Sequence, residues 1–277
     1  MIKKNIKFDM LMNDTNMTIP KIIHYCWFGG KTKPKLVRDC IKSWKKYLPD
    51  YEIIEWHEKN TDLSHPFVKH AYESQKWAFV SDYIRLKVLY ENGGIYLDTD
   101  MMLLKSLDDF LENECFFGAE EENIVSCGII GAVKQNKFIK ECIEHYDFID
   151  LEKKTNWHKT VVTIIITKLF RTKYHFYGVF DKRINYDTIT IYPINIFYPF
   201  PYEKKEDIVN YKQYIKPDSY ALHLWVGSWI VYNEFKFLRN GEYWKGFKII
   251  FQKTLCKNLN VKYIRKIISA IKQSLTK

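Results

Sequence analysis

Residues Ala78–Asp100 read AFVSDYIRLKVLYENGGIYLDTD, and this stretch decides the fold. From about Phe79 to Tyr90 the residues suit a helix, and the run stops at Asn92-Gly93-Gly94, where glycine supplies the left-handed conformation that ends helices. Ile95-Tyr96-Leu97 is then a short apolar strand that delivers Asp98-Thr99-Asp100 at its carboxyl end. A helix running at once into a buried strand is the pattern of an α/β sheet, whose ligands are expected at the strand carboxyl ends.

The flanking sequence extends the alternation. Upstream, IPKIIHYCWFGG (residues 19–30) reads as a buried strand entering a glycine turn. Leu36, Val37, Cys40, Ile41, Trp44 and Leu48 follow at helical spacing, and YEIIEW (residues 51–56) is a second strand. Downstream, FFGAEE and VSCGIIGA are strands, residues 136–146 and 157–170 are helices, and YALHLW (residues 220–225) is a late strand. Ten aromatics crowd residues 174–202 with little periodicity, which reads as core and loop packing rather than a sugar-stacking wall. No internal repeat and no linker rich in Gly, Pro or Ser divides the chain.

The chain has 277 residues, is 47% hydrophobic and 17% aromatic, and carries a net charge of +10, so it has ample apolar surface to fold and disorder is excluded. The charge is unevenly placed. Residues 231–277 hold eleven Lys and Arg against two acids, a net +9, which leaves +1 for residues 1–230. That distribution argues against a nucleic-acid-binding protein and for a local anionic partner of the last segment. There Trp244, Phe247, Ile250 and Phe251 form one apolar stripe, and Ile264, Ile267, Ile268, Ile271 and Leu275 form another, opposite Lys and Arg. Basic amphipathic helices of this kind suit an anionic membrane surface; the other reading is a pair of helices packed on the body. The six cysteines show no metal or dithiol spacing and read as buried thiols. The first seventeen residues are too polar for a signal peptide, and the longest apolar run, Val161–Ile166, falls far short of the ~20 residues that span a bilayer. A cytoplasmic location, peripheral on the inner face of the cell membrane, is expected.

Asp98 and Asp100 carry the chemistry. Two carboxylates two apart on an extended turn can place oxygens round one hard divalent ion, and such ions in transfer enzymes bridge to a diphosphate leaving group. Asp82 and Arg85, three apart on the preceding helix, share a face that can meet the same strand ends. Asp82 is suited to accept from sugar hydroxyls and Arg85 to bind a hydroxyl or a phosphate; the plain alternative is a surface ion pair. Glu120, Glu121 and Glu122 lie in the expected acceptor region, where a solvated acidic loop is favoured over a catalytic nucleophile, and no carboxylate is assigned that role.

Together these residues resemble a known family. The Ala78–Asp100 string looks like the DXD sugar-binding region of glycosyltransferase family 32, which includes bacterial capsule and lipopolysaccharide transferases and is related to the glucosylating domains of large bacterial toxins. IPKIIHYCWFG, VSCGIIGA and HLWVGSW agree with it in order, from about residue 19 to residue 230. The resemblance implies a GT-A type nucleotide-sugar-binding fold over residues 1–230, followed by the basic helical extension 231–277. It also implies retaining transfer of a hexose from a nucleotide sugar, such as UDP-galactose or UDP-N-acetylhexosamine, with Mn2+ or Mg2+. The acceptor would be a glycan of capsule, O-antigen or lipopolysaccharide synthesis, and lipid-linked.

The same resemblance assigns roles. Trp27 matches the aromatic that stacks on the nucleotide base, Asp82 and Arg85 the donor-sugar contacts, Asp100 the direct metal ligand, and Asp98 its companion nearer ribose and sugar. His223 matches a late histidine near the metal or diphosphate, and Ser228 and Trp229 a lid over the phosphates. Two departures stand on the acceptor side: Lys159-Thr160-Val161-Val162 replaces a Thr-Gly-Pro turn, and Cys127 stands where relatives often have Asn. Two rival readings remain at this level: a metal-dependent nucleotidyltransferase, for which a Gly-rich phosphate loop is missing, and a non-catalytic membrane-surface sugar-binding module.

Overall fold

In the computed structural model, residues 18–151, 157–225, 234–239, 241–254 and 261–275 are described. The chain enters through β1 (Ile22–Cys26), α1 (Lys35–Tyr47), β2 (Glu52–Trp56), α2 (Pro66–Glu73), α3 (Trp77–Asn92) and β3 (Gly94–Leu97). β1 and β3 are largely apolar and buried, β2 (EIIEW) is a half-buried strand, and each helix buries one face or more; α2 is an addition, opened by Pro66 at its first turn. β4 (Met101–Leu103), β5 (Cys115–Glu121), β6 (Ile124–Ala132), α4 (Lys137–Glu144), α5 (Val162–Tyr174), β7 (Ile184–Tyr186), β8 (Ile189–Tyr192), α6 (Ile194–Phe197) and β9 (Ala221–His223) complete this unit, which runs to Val226.

Seven strands form one mixed sheet in the order β2-β1-β3-β6-β5-β8-β7, and β4 pairs with β9 in a separate antiparallel ribbon. β1 is parallel to β2 and β3, β6 runs antiparallel to β3 and β5, and β5 is parallel to β8. The carboxyl ends of β1, β2, β3, β5 and β8 therefore share one edge, the ligand edge of an α/β sheet. This is an α/β arrangement, as expected from the sequence.

α3 is the central helix. Phe79, Val80, Asp82, Tyr83, Ile84, Arg85, Leu86, Val88 and Leu89 are all buried, so the helix is covered on nearly every side. Gly93 caps it at φ 69° and Gly94 follows at φ 108°. A Cβ on Gly94 would lie 2.7 Å from the Ile22 carbonyl oxygen, so glycine there is what lets β3 close against β1. Side chains alternate across the sheet: Tyr96 packs with Val80, Ile84, Phe117 and Phe138 on one face, and Ile95 and Leu97 pack with Trp44, Phe116 and Phe197 on the other.

The aromatic run is core and loop packing. Phe176, Phe180 and Tyr186 cluster round Phe170, and Tyr192, Phe197, Tyr198 and Phe200 are buried in the second core. Cys26, Cys40, Cys115, Cys127 and Cys142 are free and buried.

The second unit begins at Gly227 and contains α7 (Glu234–Arg239), α8 (Tyr243–Thr254) and α9 (Val261–Leu275). Its own small core is Phe235, Leu238 and Ala270, with Tyr243, Ile250, Tyr263, Ile267 and Ile271 packed against it. The two apolar stripes expected from the sequence are thus each divided: Trp244, Phe247, Phe251, Ile264, Ile268 and Leu275 are exposed, while Ile250, Ile267 and Ile271 turn inward. Among the described residues no helix is long and apolar enough to cross a membrane.

Candidate functional site

The Asp98-Thr99-Asp100 turn leaves β3 at the ligand edge and is pinned from both sides. The Asp98 N–H donates to the Gly128 carbonyl of β6 at 2.7 Å, and the Leu224 N–H donates to the Asp100 carbonyl at 3.0 Å. β4 follows directly, and its pairing with β9 sets Met101 opposite His223. That ribbon carries a histidine 123 positions away onto the turn, where His223 Nε2 lies 3.0 Å from Asp100 Oδ1.

Asp98, Asp100 and His223 each offer one ligand atom, and these atoms lie within 4.8 Å of one another. His223 Nδ1 is buried without a hydrogen-bond partner. Burial works against charging this imidazole, but the Asp100 carboxylate, with Asp98 and Glu120 beyond it, raises its pKa above the ordinary histidine value. A site that draws a proton onto histidine has the negative potential that a cation also seeks. Two carboxylates and an imidazole form a donor set that can hold a divalent ion. The Trp225 ring lies 4.0 Å from that of His223, and Trp225 itself sits at φ 52°, held by its Nε1–H on the Phe200 carbonyl at 2.6 Å.

Behind the turn stands a buried ion cluster. Arg85 Nη1 is 3.1 Å from Asp98 Oδ1 and donates to the Cys127 carbonyl at 2.6 Å, while Nη2 donates to Asp82 Oδ1 at 3.0 Å and Nε to the Ser81 carbonyl at 3.2 Å. The guanidinium also stacks on the Tyr96 ring at 4.6 Å, and the Tyr96 hydroxyl donates to Asp98 Oδ1 at 3.1 Å. The Asp82–Arg85 pair is therefore not a surface ion pair; both residues are buried. Burial pushes the Asp82 carboxyl up to about 6, against the pull of Arg85 and of the Val162 N–H, the first amide of α5, at 3.3 Å. Bonded to Asp82, Asp98 and two carbonyls, Arg85 holds the Asp98 carboxylate of the turn.

Trp27 follows β1 at the same sheet edge, half-buried, with its Nε1–H on the Lys31 carbonyl at 2.6 Å and Lys33 Nζ 5.6 Å from its ring. Ser228 and Trp229 lie outside the described residues. Both departures from the family pattern fall where the protein contributes main chain to the site: the Cys127 carbonyl on Arg85, and the Val162 N–H, two residues after Thr160, on Asp82.

Three groups escaped the sequence reading. Tyr96 supplies both a π-face to Arg85 and a hydroxyl to Asp98; only its β-strand alternation with Ile95 and Leu97 hinted at it. Tyr198 presents its ring edge to His223 at 5.8 Å and accepts the Ile129 N–H at 3.0 Å. Glu120 is not part of a solvated loop: β5 continues to Glu121, and Glu120 Oε2 accepts from buried Ser126 Oγ at 2.6 Å, whereas Glu121 and Glu122 are exposed.

Comparison with known proteins agrees with this geometry. Residues 34–117 match the family described as "Glycosyltransferase sugar-binding region containing DXD motif". The chain is 28% identical over 140 residues to inositol phosphoceramide mannosyltransferase 3 of Schizosaccharomyces pombe, covering 49% of this chain and 39% of that protein. It is 25% identical over 168 residues to lactosylceramide 4-alpha-galactosyltransferase of Mus musculus, covering 57% and 43%. The match thus spans about two fifths of the length of these curated relatives. Among solved structures, the PaToxG glycosyltransferase aligns with a TM-score of 0.45 at 18% identity, over 56% of this chain and 70% of that one. The DXD turn and the Asp82–Arg85 pair thus lie inside the segment, residues 34–117, that matches a glycosyltransferase sugar-binding region of the DXD type, in keeping with the family 32 that the sequence resembles.

Proposed function

We propose that this protein transfers a hexose from a nucleotide sugar, UDP-galactose or a UDP-N-acetylhexosamine, to a hydroxyl of a glycan acceptor with retention of anomeric configuration. The observation that carries the reading is the convergence of Asp98, Asp100 and His223 within 4.8 Å at the carboxyl edge of the sheet. Mn2+ or Mg2+ held by these three residues would neutralise the charge that develops on the departing diphosphate. Arg85 and Tyr96 hold the Asp98 carboxylate in place, so little reorientation is needed as that charge appears. Trp27 offers an aromatic surface for the nucleotide base at the end of β1, and Ser228 and Trp229 are proposed to cover the phosphates. The acceptor hydroxyl attacks the anomeric carbon from the side the diphosphate leaves.

The acceptor is proposed to be a lipid-linked glycan of capsule, O-antigen or lipopolysaccharide assembly. Relatives named for ceramide-linked substrates support a membrane-borne acceptor. So does the second unit, in which exposed Trp244, Phe247 and Phe251 alternate with Lys245 and Lys248 on α8. It is proposed to hold the protein at the inner face of the cell membrane, each base near an anionic surface contributing about 1 kcal/mol.

A thermal-shift screen of nucleotide sugars with Mn2+ tests the donor assignment, because a ligand that binds only the folded chain raises its melting temperature. A shift with a UDP-hexose that needs Mn2+ is expected. Shifts confined to nucleoside triphosphates would favour nucleotidyl transfer instead.

A further inference from the structure

Glu120 takes no part in the donor site described above, yet it lies at the same sheet edge. It is the penultimate residue of β5, two strands across from Asp98: β6 pairs with β3 at Leu97↔Ile129 and with β5 at Gly118↔Ser126. Its Oε2 is held by the Ser126 hydroxyl at 2.6 Å, and Oε1 receives no hydrogen bond from the described residues. Three residues along β6 from Ser126, the Ile129 N–H donates to the Tyr198 hydroxyl, and the Tyr198 ring meets His223 at 5.8 Å, so Glu120, Ser126 and Tyr198 form a wall running to His223. The carboxylate has no Lys or Arg partner among the described residues, although burying an unpaired carboxylate costs free energy. Burial raises its pKa above the ordinary glutamate value, against the hydrogen bond from Ser126 and the charge of His223. Two residues on, Glu122 lines a cavity of about 310 Å³ with Pro193, Asn195 and Lys216, at the carboxyl end of β8. That volume is at the small end of ligand pockets and is a size suited to one sugar unit.

We propose that Glu120 Oε1 is the base for the attacking hydroxyl, and that the cavity beyond it seats the acceptor sugar. The inference rests on the transferase reading and adds to it the residue that receives the proton. The acceptor oxygen forms its bond to the anomeric carbon as the bond from that carbon to the diphosphate oxygen breaks. The bonding pair leaves with the diphosphate, and the acceptor proton passes to Oε1 and then to solvent. Ser126 turns the carboxylate by holding Oε2, which leaves Oε1 to face the nucleophile. Water takes the place of the acceptor when the donor is hydrolysed, so the role can be read without knowing the acceptor.

The test measures UDP release from a panel of UDP-hexoses in Mn2+, without acceptor, for the unaltered protein, Glu120→Gln and Ser126→Ala. Glutamine keeps the bond to Ser126 and the shape of the wall but cannot take the proton. Glu120→Gln should lower turnover by about 100-fold or more, as loss of a general base does, with the melting-temperature shift caused by UDP and Mn2+ unchanged. Ser126→Ala, which loosens Oε2 only, should lower turnover by less than Glu120→Gln. Turnover in Glu120→Gln within about threefold of the unaltered protein, or a fall matched by loss of the UDP–Mn2+ shift, would overturn the assignment. No release from any donor by the unaltered protein would instead overturn the transferase reading itself.

Discussion

Arg85 joins Asp82 and Asp98, its Nη2 3.0 Å from one carboxylate and its Nη1 3.1 Å from the other, and it does so in the protein interior. A planar fork can meet two carboxylates and the Cys127 carbonyl at once; an ammonium offers a single point of charge. Arg85→Lys should therefore leave at least one carboxylate unpaired and cost about 3–5 kcal/mol of stability, as broken buried pairs do. Urea unfolding of the variant measures this, and a loss below about 1 kcal/mol would show the cluster to be less tightly coupled than its distances imply.

His24 sets an acid limit. It is buried, Trp56 Nε1–H donates to its Nδ1 at 3.1 Å, and its Nε2 bonds the Gly93 carbonyl at 2.8 Å, a pattern that fits the neutral ring. Burial lowers its pKa below the ordinary 6.5. Between that value and the lowered one the unfolded chain binds more protons than the folded chain, so this contribution to stability is whole above pH 6.5 and declines as pH falls through the window. Denaturation midpoints from pH 7.5 to pH 5 should fall, and His24→Gln should flatten the slope over that range.

Gly131 faces a ring. A Cβ placed there would lie 2.0 Å from Phe116 Cε1, in a part of the core where both residues are buried. Gly131→Ala should destabilise by about 1–3 kcal/mol or more through overpacking, and Phe116→Leu should recover part of the loss in the double variant. Equal melting temperatures for the unaltered protein and Gly131→Ala would contradict this packing.

The second unit has separable faces. Replacing exposed Trp244, Phe247 and Phe251 by serine should abolish co-sedimentation with phosphatidylserine-containing vesicles while leaving the melting temperature nearly unchanged, because the inward core of Phe235, Leu238 and Ala270 is untouched. Vesicle binding that survives those replacements, or deletion of residues 241–277, would remove the membrane role.

Much of this was legible from local pattern. α3 and β3 announce themselves through a helical run, a glycine cap and a short apolar strand, all signals within a few residues of each other. What brings His223 to Asp100 is not local: β4 and β9 are three residues each, too short for periodicity to reveal, and their pairing spans more than a hundred residues. Glu120 was hidden by its neighbours, since three consecutive acids resemble a solvated turn; only the point at which β5 ends decides which of them faces inward. Spacing at three and four likewise marks the apolar residues of α8 and α9, but it cannot tell Ile250, which packs on α7 and α9, from Trp244, which does not.

The most direct measurement is UDP release from UDP-hexoses with and without Mn2+, compared between the unaltered protein and Asp100→Ala. The account predicts metal-dependent release from at least one donor and a loss of about 100-fold or more in the folded variant. Full activity in Asp100→Ala, or release indifferent to metal, would contradict it.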